Sequence, residues 1–192
     1  MRMPVSIRVS LWVWLIAALL VGRQHWLVPL LGPALQGIIF GLTGLVLLLC
    51  LKNRTLRTWI ERIDLRSLVL FHVTRFVGFY FLLLYQRGEL PYSFAIPGGW
   101  GDNIVAAGAL LICVLPLGET TRLRAIRLWN VVGLIDILLV VVTAARLGLQ
   151  APDQLRALTY LPLSLLPTFL VPLIIATHVI IFLRLLRSTR IP

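Results

Sequence analysis

Charged side chains are scarce in this chain, and acidic ones are scarcer still. Only 13% of the 192 residues are charged, with 7 Asp or Glu against 18 Lys or Arg. Soluble domains carry roughly 25% charged residues, so the composition excludes an ordinary soluble domain. With 59% hydrophobic residues and a mean hydropathy of +0.96, the sequence indicates an integral membrane protein.

Cysteine is nearly absent as well, and the common catalytic motifs are missing. Cys50 and Cys113 each lie within an apolar run, which excludes a disulfide framework and a CxxC metal motif. The sequence contains no HExxH pattern and no paired histidines with acidic neighbours, so it does not predict a zinc or di-iron enzyme. The basic residues form short clusters between apolar runs rather than a polar face interleaved with aromatics, so nucleic-acid binding is not expected.

What the sequence does contain is a series of apolar runs, each able to cross a hydrocarbon layer of roughly 30 Å. The runs are continuous and Leu-rich rather than alternating, which favours helices over a barrel. We therefore predict an all-α, polytopic membrane protein, with residues 1–192 forming one transmembrane domain and a single six-helix bundle. The predicted helices span about 9–22, 28–51, 66–86, 102–117, 128–147 and 161–186.

The distribution of Lys and Arg between the helices predicts the orientation. Thirteen basic residues fall on one face of the membrane and four on the other. By the positive-inside rule, both termini are cytoplasmic, and we expect the bacterial cytoplasmic (inner) membrane with lipid as the surrounding partner. The thirteen are Arg2, Arg8, Lys52, Arg54, Arg57, Arg62, Arg66, Arg122, Arg124, Arg127, Arg184, Arg187 and Arg190; the four are Arg23, Arg87, Arg146 and Arg156.

Five polar residues inside the apolar helices form the first candidate site: His72, Arg75, Asn130, Asp136 and His178. Counted from the cytoplasmic helix ends, the four ionisable ones share one level. Charges at such depth are costly and usually pair, so Arg75 is expected to pair with Asp136. Two interpretations stay open: a structural ion pair that fixes helix register, or a proton or ion path with Asp136 as the titrating group.

The two histidines allow one cofactor alternative. His72 and His178 lie at similar predicted depths and could be the axial ligands of a single haem b. That interpretation would make the chain an electron-transfer membrane subunit. Outside this alternative, the sequence predicts no cofactor and no metal.

A Gly- and Pro-dense segment after the third helix predicts an outer loop that forms a vestibule. Asp102 is expected to be the N-cap of the fourth helix. The alternative is a re-entrant loop over residues 91–101 that receives an anionic group, with the freed carbonyls of a kinked last helix beside it. The loop residues are Pro91, Pro97, Gly98, Gly99, Trp100, Gly101, Asp102 and Asn103, and the prolines of the last helix are Pro162, Pro167 and Pro172.

Two further patterns carry structural predictions. Gly37, Gly41 and Gly44 lie on the second helix at a spacing that lets two helix backbones approach closely. Packing within the chain is the favoured interpretation, and a homo-oligomer seam is the alternative. Residues 52–66 place apolar side chains at helical spacing between charges, which predicts a short amphipathic helix on the membrane surface.

One longer pattern resembles a family of uncharacterised bacterial multi-pass membrane proteins. It runs Arg75-x-x-Gly78, then Gly88-x-Leu90-Pro91-x-x-Phe94-Ala95-x-Pro97-x-Gly99-x-Gly101-Asp102. Trp129-Asn130 with Gly133 and Asp136, and Leu161-Pro162 through Pro172 to His178, fit the same pattern. The resemblance implies that these positions form one constellation, and it brings no activity with it.

Taken together, the patterns predict a protein that handles a small solute or ion through a polar site within the membrane. A haem-binding subunit is one alternative. The other is a structural or assembly component of a membrane complex whose ion pair only holds helices together.

Overall fold

The computed structural model describes residues 3–188, which are almost entirely helical and contain no strand. Arg2 and Arg190, two of the basic residues used to predict the orientation, lie outside this range. The α-helices are α1 Val5–Arg23, α2 Pro33–Lys52, α3 Arg54–Arg62, α4 Leu65–Phe71, α5 Gly78–Gln86, α6 Tyr92–Val114, α7 Glu119–Gln150 and α8 Val171–Ser188. Short 3-10 segments cover Val28–Leu30, His72–Val77 and Pro152–Thr159, and a π-helical turn covers Leu166–Leu170.

Six helical stretches are long and apolar enough to cross a membrane. The third of them joins α4, a 3-10 turn and α5 into one stretch, and the last joins the π-helical turn to α8. The stretches are Val5–Arg23, Pro33–Lys52, Leu65–Gln86, Tyr92–Val114, Glu119–Gln150 and Leu166–Arg187. The predicted fold class, an all-α multi-pass membrane protein with six membrane-length helices, is confirmed.

The chain divides into two compact units. The first unit consists of the residues up to Ile63 together with Val141–Ala176, and the second of Asp64–Val140 together with the residues from Thr177 on. In the second unit, α5 and the 3-10 turn before it pack closely against α6. Their shared core includes Phe81, Leu84 and Phe94, and the rings of Phe81 and Phe94 are 5.3 Å apart.

The largest difference from the predicted helix bounds is in α6. This helix begins at Tyr92, ten residues before the predicted start at 102, so the predicted outer loop is wrong. Pro91 is the N-cap residue, with φ −74° and ψ 150°, and the remaining loop residues lie inside the helix. A Gly-rich sequence favours a turn, but here Gly99 allows close packing of two helices. The residues predicted to form the loop, and now placed at the N-cap of α6 or within it, are Pro91, Pro97, Gly98, Gly99, Trp100, Gly101, Asp102 and Asn103.

Helix α7 also exceeds its predicted bounds, because it begins at Glu119 and ends at Gln150 rather than spanning 128–147. The predicted bounds cover only the apolar run, because only that part of the helix is suited to hydrocarbon. Helical hydrogen bonds continue beyond that part. The basic residues at 122, 124 and 127 therefore lie in the first turns of α7 and not in a loop.

In the first unit, a carbonyl beside a proline already has a partner. Pro172 has no N–H to offer the carbonyl of Thr168, four residues earlier. The indole N–H of Trp14 donates to that carbonyl at 2.8 Å, and the Trp14 ring packs edge-on against Phe169 at 5.0 Å. The partner of this carbonyl is thus a protein side chain.

Two smaller predictions have opposite outcomes. Helix α3 forms where the amphipathic pattern predicted it, with the Asn53 side chain accepting a hydrogen bond from the N–H of Leu56 at 3.0 Å. Its position relative to a membrane stays a prediction. By contrast, no described atom outside α2 itself lies within 4 Å of a side chain added at Gly37, Gly41 or Gly44. The expected packing of these glycines within the chain is therefore wrong, and the oligomer seam stays a prediction.

Candidate functional site

The candidate site lies in the second unit, at the 3-10 turn His72–Val77 that interrupts the third membrane-length stretch. The hydroxyl of Thr74 donates to the carbonyl of Phe71 at 2.9 Å, a local bond that competes with regular helical bonding. Short 3-10 stretches within longer helices often mark functional positions. Here the turn carries His72 and Arg75, both fully buried.

Contact between two helix backbones brings this turn against α6. A Cβ added at Gly78 would collide with the carbonyl oxygen of Gly99, and one added at Gly99 would lie 2.9 Å from the carbonyl oxygen of Gly78. Real Cβ atoms do not approach other atoms so closely, so α5 and α6 can pack in this way only with glycine at both positions. This approach places Arg75 beside Asp102 in the middle of α6.

Arg75 is the centre of a charged cluster of three residues, Arg75, Asp102 and Asp136. Its Nε–H donates to Asp102 Oδ1 at 2.6 Å, and an Nη2–H donates to Asp136 Oδ2. An Nη1–H donates to the backbone carbonyl of Gly133 at 2.9 Å. Asp136 is the partner predicted from the sequence, and Asp102, predicted to lie at a helix terminus, is a second partner.

The exposure of the two carboxylates differs. The side chain of Arg75 is 0% exposed and that of Asp102 is 5% exposed, whereas that of Asp136 is 20% exposed. One guanidinium between two carboxylates has a formal charge of −1 when all three groups are ionised. The charged cluster therefore contains one negative charge more than Arg75 balances.

A second group of polar side chains, which we call the histidine pair, consists of His72 and His178. Asn130 holds one ring in place, because its Oδ1 accepts from Nδ1 of His178 at 2.9 Å and its Nδ2 donates to the His178 carbonyl at 3.1 Å. An amide oxygen only accepts, so the hydrogen of the His178 ring is on Nδ1. Nε2 of His72 lies 3.1 Å from the hydroxyl of Thr177.

The remaining nitrogen of each ring has no hydrogen-bond partner among the described residues. These atoms are Nδ1 of His72 and Nε2 of His178. The centroids of the two imidazole rings are 4.1 Å apart. The centroid of the Trp129 ring lies 5.0 Å from that of His72 and 5.4 Å from that of His178. Trp129 itself is fixed by an indole N–H that donates to the carbonyl of Val105 at 2.8 Å.

Gly133 joins the charged cluster to the histidine pair. Its carbonyl oxygen accepts from Arg75, and a Cβ at this position would lie 2.6 Å from Cε1 of His178 and 3.0 Å from Nε2. Any larger residue would displace the imidazole. The structure thus brings together all five residues of the first predicted site, His72, Arg75, Asn130, Asp136 and His178, in two adjoining groups.

The residues of the second predicted site lie on or at the start of α6 and not in a loop. Trp100 is 54% exposed on that helix. Asn103 is buried, and neither polar atom of its amide has a hydrogen-bond partner among residues 3–188. Asp102, predicted to be a helix N-cap, is instead a buried residue of the charged cluster. Its position ten residues into a Gly-containing apolar run was the available signal.

The haem alternative can be compared with the geometry of the histidine pair. Axial ligation by both residues requires an iron atom and a porphyrin plane between the two imidazoles. With their centroids 4.1 Å apart, the rings are in contact with each other, and no space separates them. His72 and His178 in this arrangement do not fit a haem between them.

The fold and the site together define a class of protein: a multi-pass α-helical membrane protein with charged residues buried between its helices. More particularly, the chain belongs to the family described as a domain of unknown function, DUF8737, whose family model matches residues 33–186. No curated protein and no solved structure matches the chain.

Proposed function

We propose that this protein handles a small ion, alone or together with a small solute, through the charged cluster of Arg75, Asp102 and Asp136. The observation that carries the proposal is the uncompensated carboxylate beside a fully buried guanidinium. A lone negative charge within apolar helices costs at least a few kcal/mol unless something neutralises it. A bound cation or proton supplies that neutralisation, and its exchange is a means of transport.

The position of the cluster along the helices supports the same proposal. Arg75, Asp102, Asp136 and His178 each lie within two residues of the midpoint of their membrane-length stretches. Transport sites of small membrane proteins lie near the bilayer midplane, where charges are otherwise avoided. In our proposal the six stretches span the bacterial cytoplasmic membrane, with both termini on the cytoplasmic side because most Lys and Arg lie at that end of the helices.

The proposal can be tested with the purified protein in sealed liposomes that contain a pH-sensitive dye or, in parallel samples, a dye sensitive to the cation tested. A potassium diffusion potential drives cation entry, and a panel of alkali cations and small metabolites is added outside. We expect wild-type protein to give an ion flux above that of empty liposomes, and Asp136→Asn to abolish it. The matched control is Asp153→Asn, which removes an exposed carboxylate outside the membrane-length stretches.

One observation favours a second candidate function. Nε, Nη1 and Nη2 of Arg75 each donate to a group of the same chain, as expected of an ion pair that only fixes helix register. A structural or assembly component of a membrane complex would have this property. The same experiment decides, because such a component gives no flux with any cation in the panel, and the wild type then equals empty liposomes.

A further inference from the structure

The two carboxylates of the charged cluster are not equivalent. Asp102 is almost completely buried and accepts the Nε–H of Arg75 at 2.6 Å, and the Gly133 carbonyl accepts a second bond at 2.9 Å. These two contacts hold the guanidinium in place and balance its charge without Asp136. The excess negative charge therefore belongs to Asp136, which is also the more exposed of the two carboxylates.

The Asp136 carboxylate reaches the surface of the chain beside Gly101, which has no side chain to cover it. A Cβ added at Gly101 would collide with Oδ1 of Asp136, so the carboxylate occupies the space that a residue there would fill. Gly101 and Ile104 are three residues apart on one face of α6, and Ile104 is 64% exposed. Both Asp136 and Gly101 belong to membrane-length stretches. With these stretches in a membrane, as proposed above, this gap in the row of α6 side chains faces lipid.

We propose that Asp136 is the proton-accepting group of the charged cluster, that its carboxylate can be reached from the lipid at Gly101, and that Asp102 remains ionised as the fixed counter-ion of Arg75. This inference rests on the proposed function and names its ion. A proton adds to the Asp136 carboxylate and forms a carboxylic acid, and the formal charge of the cluster changes from −1 to 0. No other bond breaks, because the acid still has an oxygen that accepts from Arg75.

The ligands around Asp136 favour a proton over a metal cation. Hard metal cations need a shell of several oxygen ligands. Here the nearby carbonyl of Gly133 is already used by Arg75, and no group of three or more His, Cys, Asp or Glu among the described residues could hold a metal ion. The charged and titratable groups that face Asp136 are Arg75 from the 3-10 turn and Asp102 from α6, with the histidine pair beyond Gly133.

A lipid-soluble carbodiimide tests this inference directly. Dicyclohexylcarbodiimide reacts with protonated carboxyl groups: the acid adds across one C=N bond, and rearrangement leaves a stable N-acylurea that adds the mass of one reagent molecule. The full-length protein in lipid nanodiscs is treated at acidic and at alkaline pH, and the adduct is located by peptide mass spectrometry. We expect labelling at Asp136, more at acidic pH, and none at Asp102.

Matched variants and a second reagent sharpen the result. Asp136→Asn removes the adduct, and a water-soluble carbodiimide leaves Asp136 unlabelled because the gap opens toward lipid. Gly101→Ala places a methyl group where the Asp136 carboxylate now lies, displaces that carboxylate and lowers the labelling. Gly98→Ala is its control, because a Cβ there meets only Val140 and Phe81 at 3.5 Å or more, which is ordinary contact.

Two outcomes overturn the inference: an adduct at Asp102 in place of Asp136, or folded wild-type protein that stays unlabelled at both positions at acidic pH. Both are distinguishable from failure of the proposed function. Labelling at Asp136 without ion flux in liposomes retains the inference and removes the transport proposal. Flux that depends on Asp136 without any labelling retains the transport proposal and removes the access to Asp136 from the lipid.

Discussion

Helices α2 and α6 are both rich in glycine, and their glycines serve different purposes. In α6, Gly99 contacts the backbone of Gly78 and Gly101 makes room for the Asp136 carboxylate. In α2, Gly37, Gly41 and Gly44 contact nothing within 4 Å outside their own helix among the described residues. The spacing of glycines along a helix therefore does not tell whether they are packed. What decides is whether a polar group or another backbone lies opposite.

The α6 glycines are explained by the charges that they make room for. The close approach of α5 and α6 places Arg75 within 2.6 Å of Asp102, away from lipid. No comparable buried charge lies on α2, whose buried polar residues are Gln36 and Thr43. The hydroxyl of Thr43 donates to its own helix, to the carbonyl of Ile39 at 2.7 Å. We expect substitutions around α6 to be costly and those on the open face of α2 to be mild.

The largest effect is expected from removing the charge at the centre of the cluster. Arg75→Gln leaves the buried Asp102 and the partly exposed Asp136 without their cation, and we expect the free energy of unfolding to fall by about 3–5 kcal/mol. Unfolding by a denaturing detergent in mixed micelles measures it. The control is Arg57→Gln on α3, whose ion pair with Glu61 is exposed on both sides and worth less than about 1 kcal/mol.

A triple variant separates charge from packing in that result. Arg75→Gln combined with Asp102→Asn and Asp136→Asn removes all three charges, and we expect it to be more stable than Arg75→Gln alone. If the triple variant is as unstable as the single one, the loss comes from packing and the charges do not explain the glycines of α6.

The next effect tests the backbone contact itself. Gly78→Ala adds a methyl group that collides with the carbonyl of Gly99, and we expect a loss of about 1–3 kcal/mol in the same unfolding measurement. The loss arises from backbone displacement, so a flexible side chain nearby cannot relieve it. A Gly78→Ala protein as stable as the wild type would remove the distinction between the packed glycines and the open ones.

Removing either carboxylate should lower the free energy of unfolding by a smaller amount, and the amount should differ between the two. Asp102→Asn removes the buried counter-ion of Arg75, and we expect a loss of about 2 kcal/mol, as for a hydrogen bond to a charged group. Asp136→Asn removes the excess charge, so its cost should stay below about 1 kcal/mol because desolvation of a charge is avoided. Equal losses would mean that the two carboxylates share Arg75 evenly, against the assignment of Asp136 as the exchanging group.

The six membrane-length helices could be predicted from the sequence because continuous apolar runs have few alternatives in lipid. Pairing of Arg75 with Asp136 could also be expected, since charges in such runs need partners. The place of Asp102 in the middle of a helix could not be predicted from the sequence, for a physical reason. Glycines that permit a turn and glycines that permit a close helix contact look the same along the chain, and only the position of α5 distinguishes them. The role of Gly101 likewise cannot be predicted from the sequence, because it depends on Asp136, which lies opposite on another helix.

The smallest effect is expected on α2. Gly41→Ala adds a methyl group where nothing lies within 4 Å, and alanine favours helix over glycine by up to about 1 kcal/mol, so the free energy of unfolding should stay equal or rise slightly. A loss greater than that of Gly98→Ala would show that the face is covered in the membrane. Energy transfer between labelled copies in liposomes then identifies the cover: transfer that falls in Gly41→Ala means a second copy of this chain, and unchanged transfer means lipid. These measurements therefore show whether the open glycines of α2, unlike those of α6, pack against a second copy of this chain.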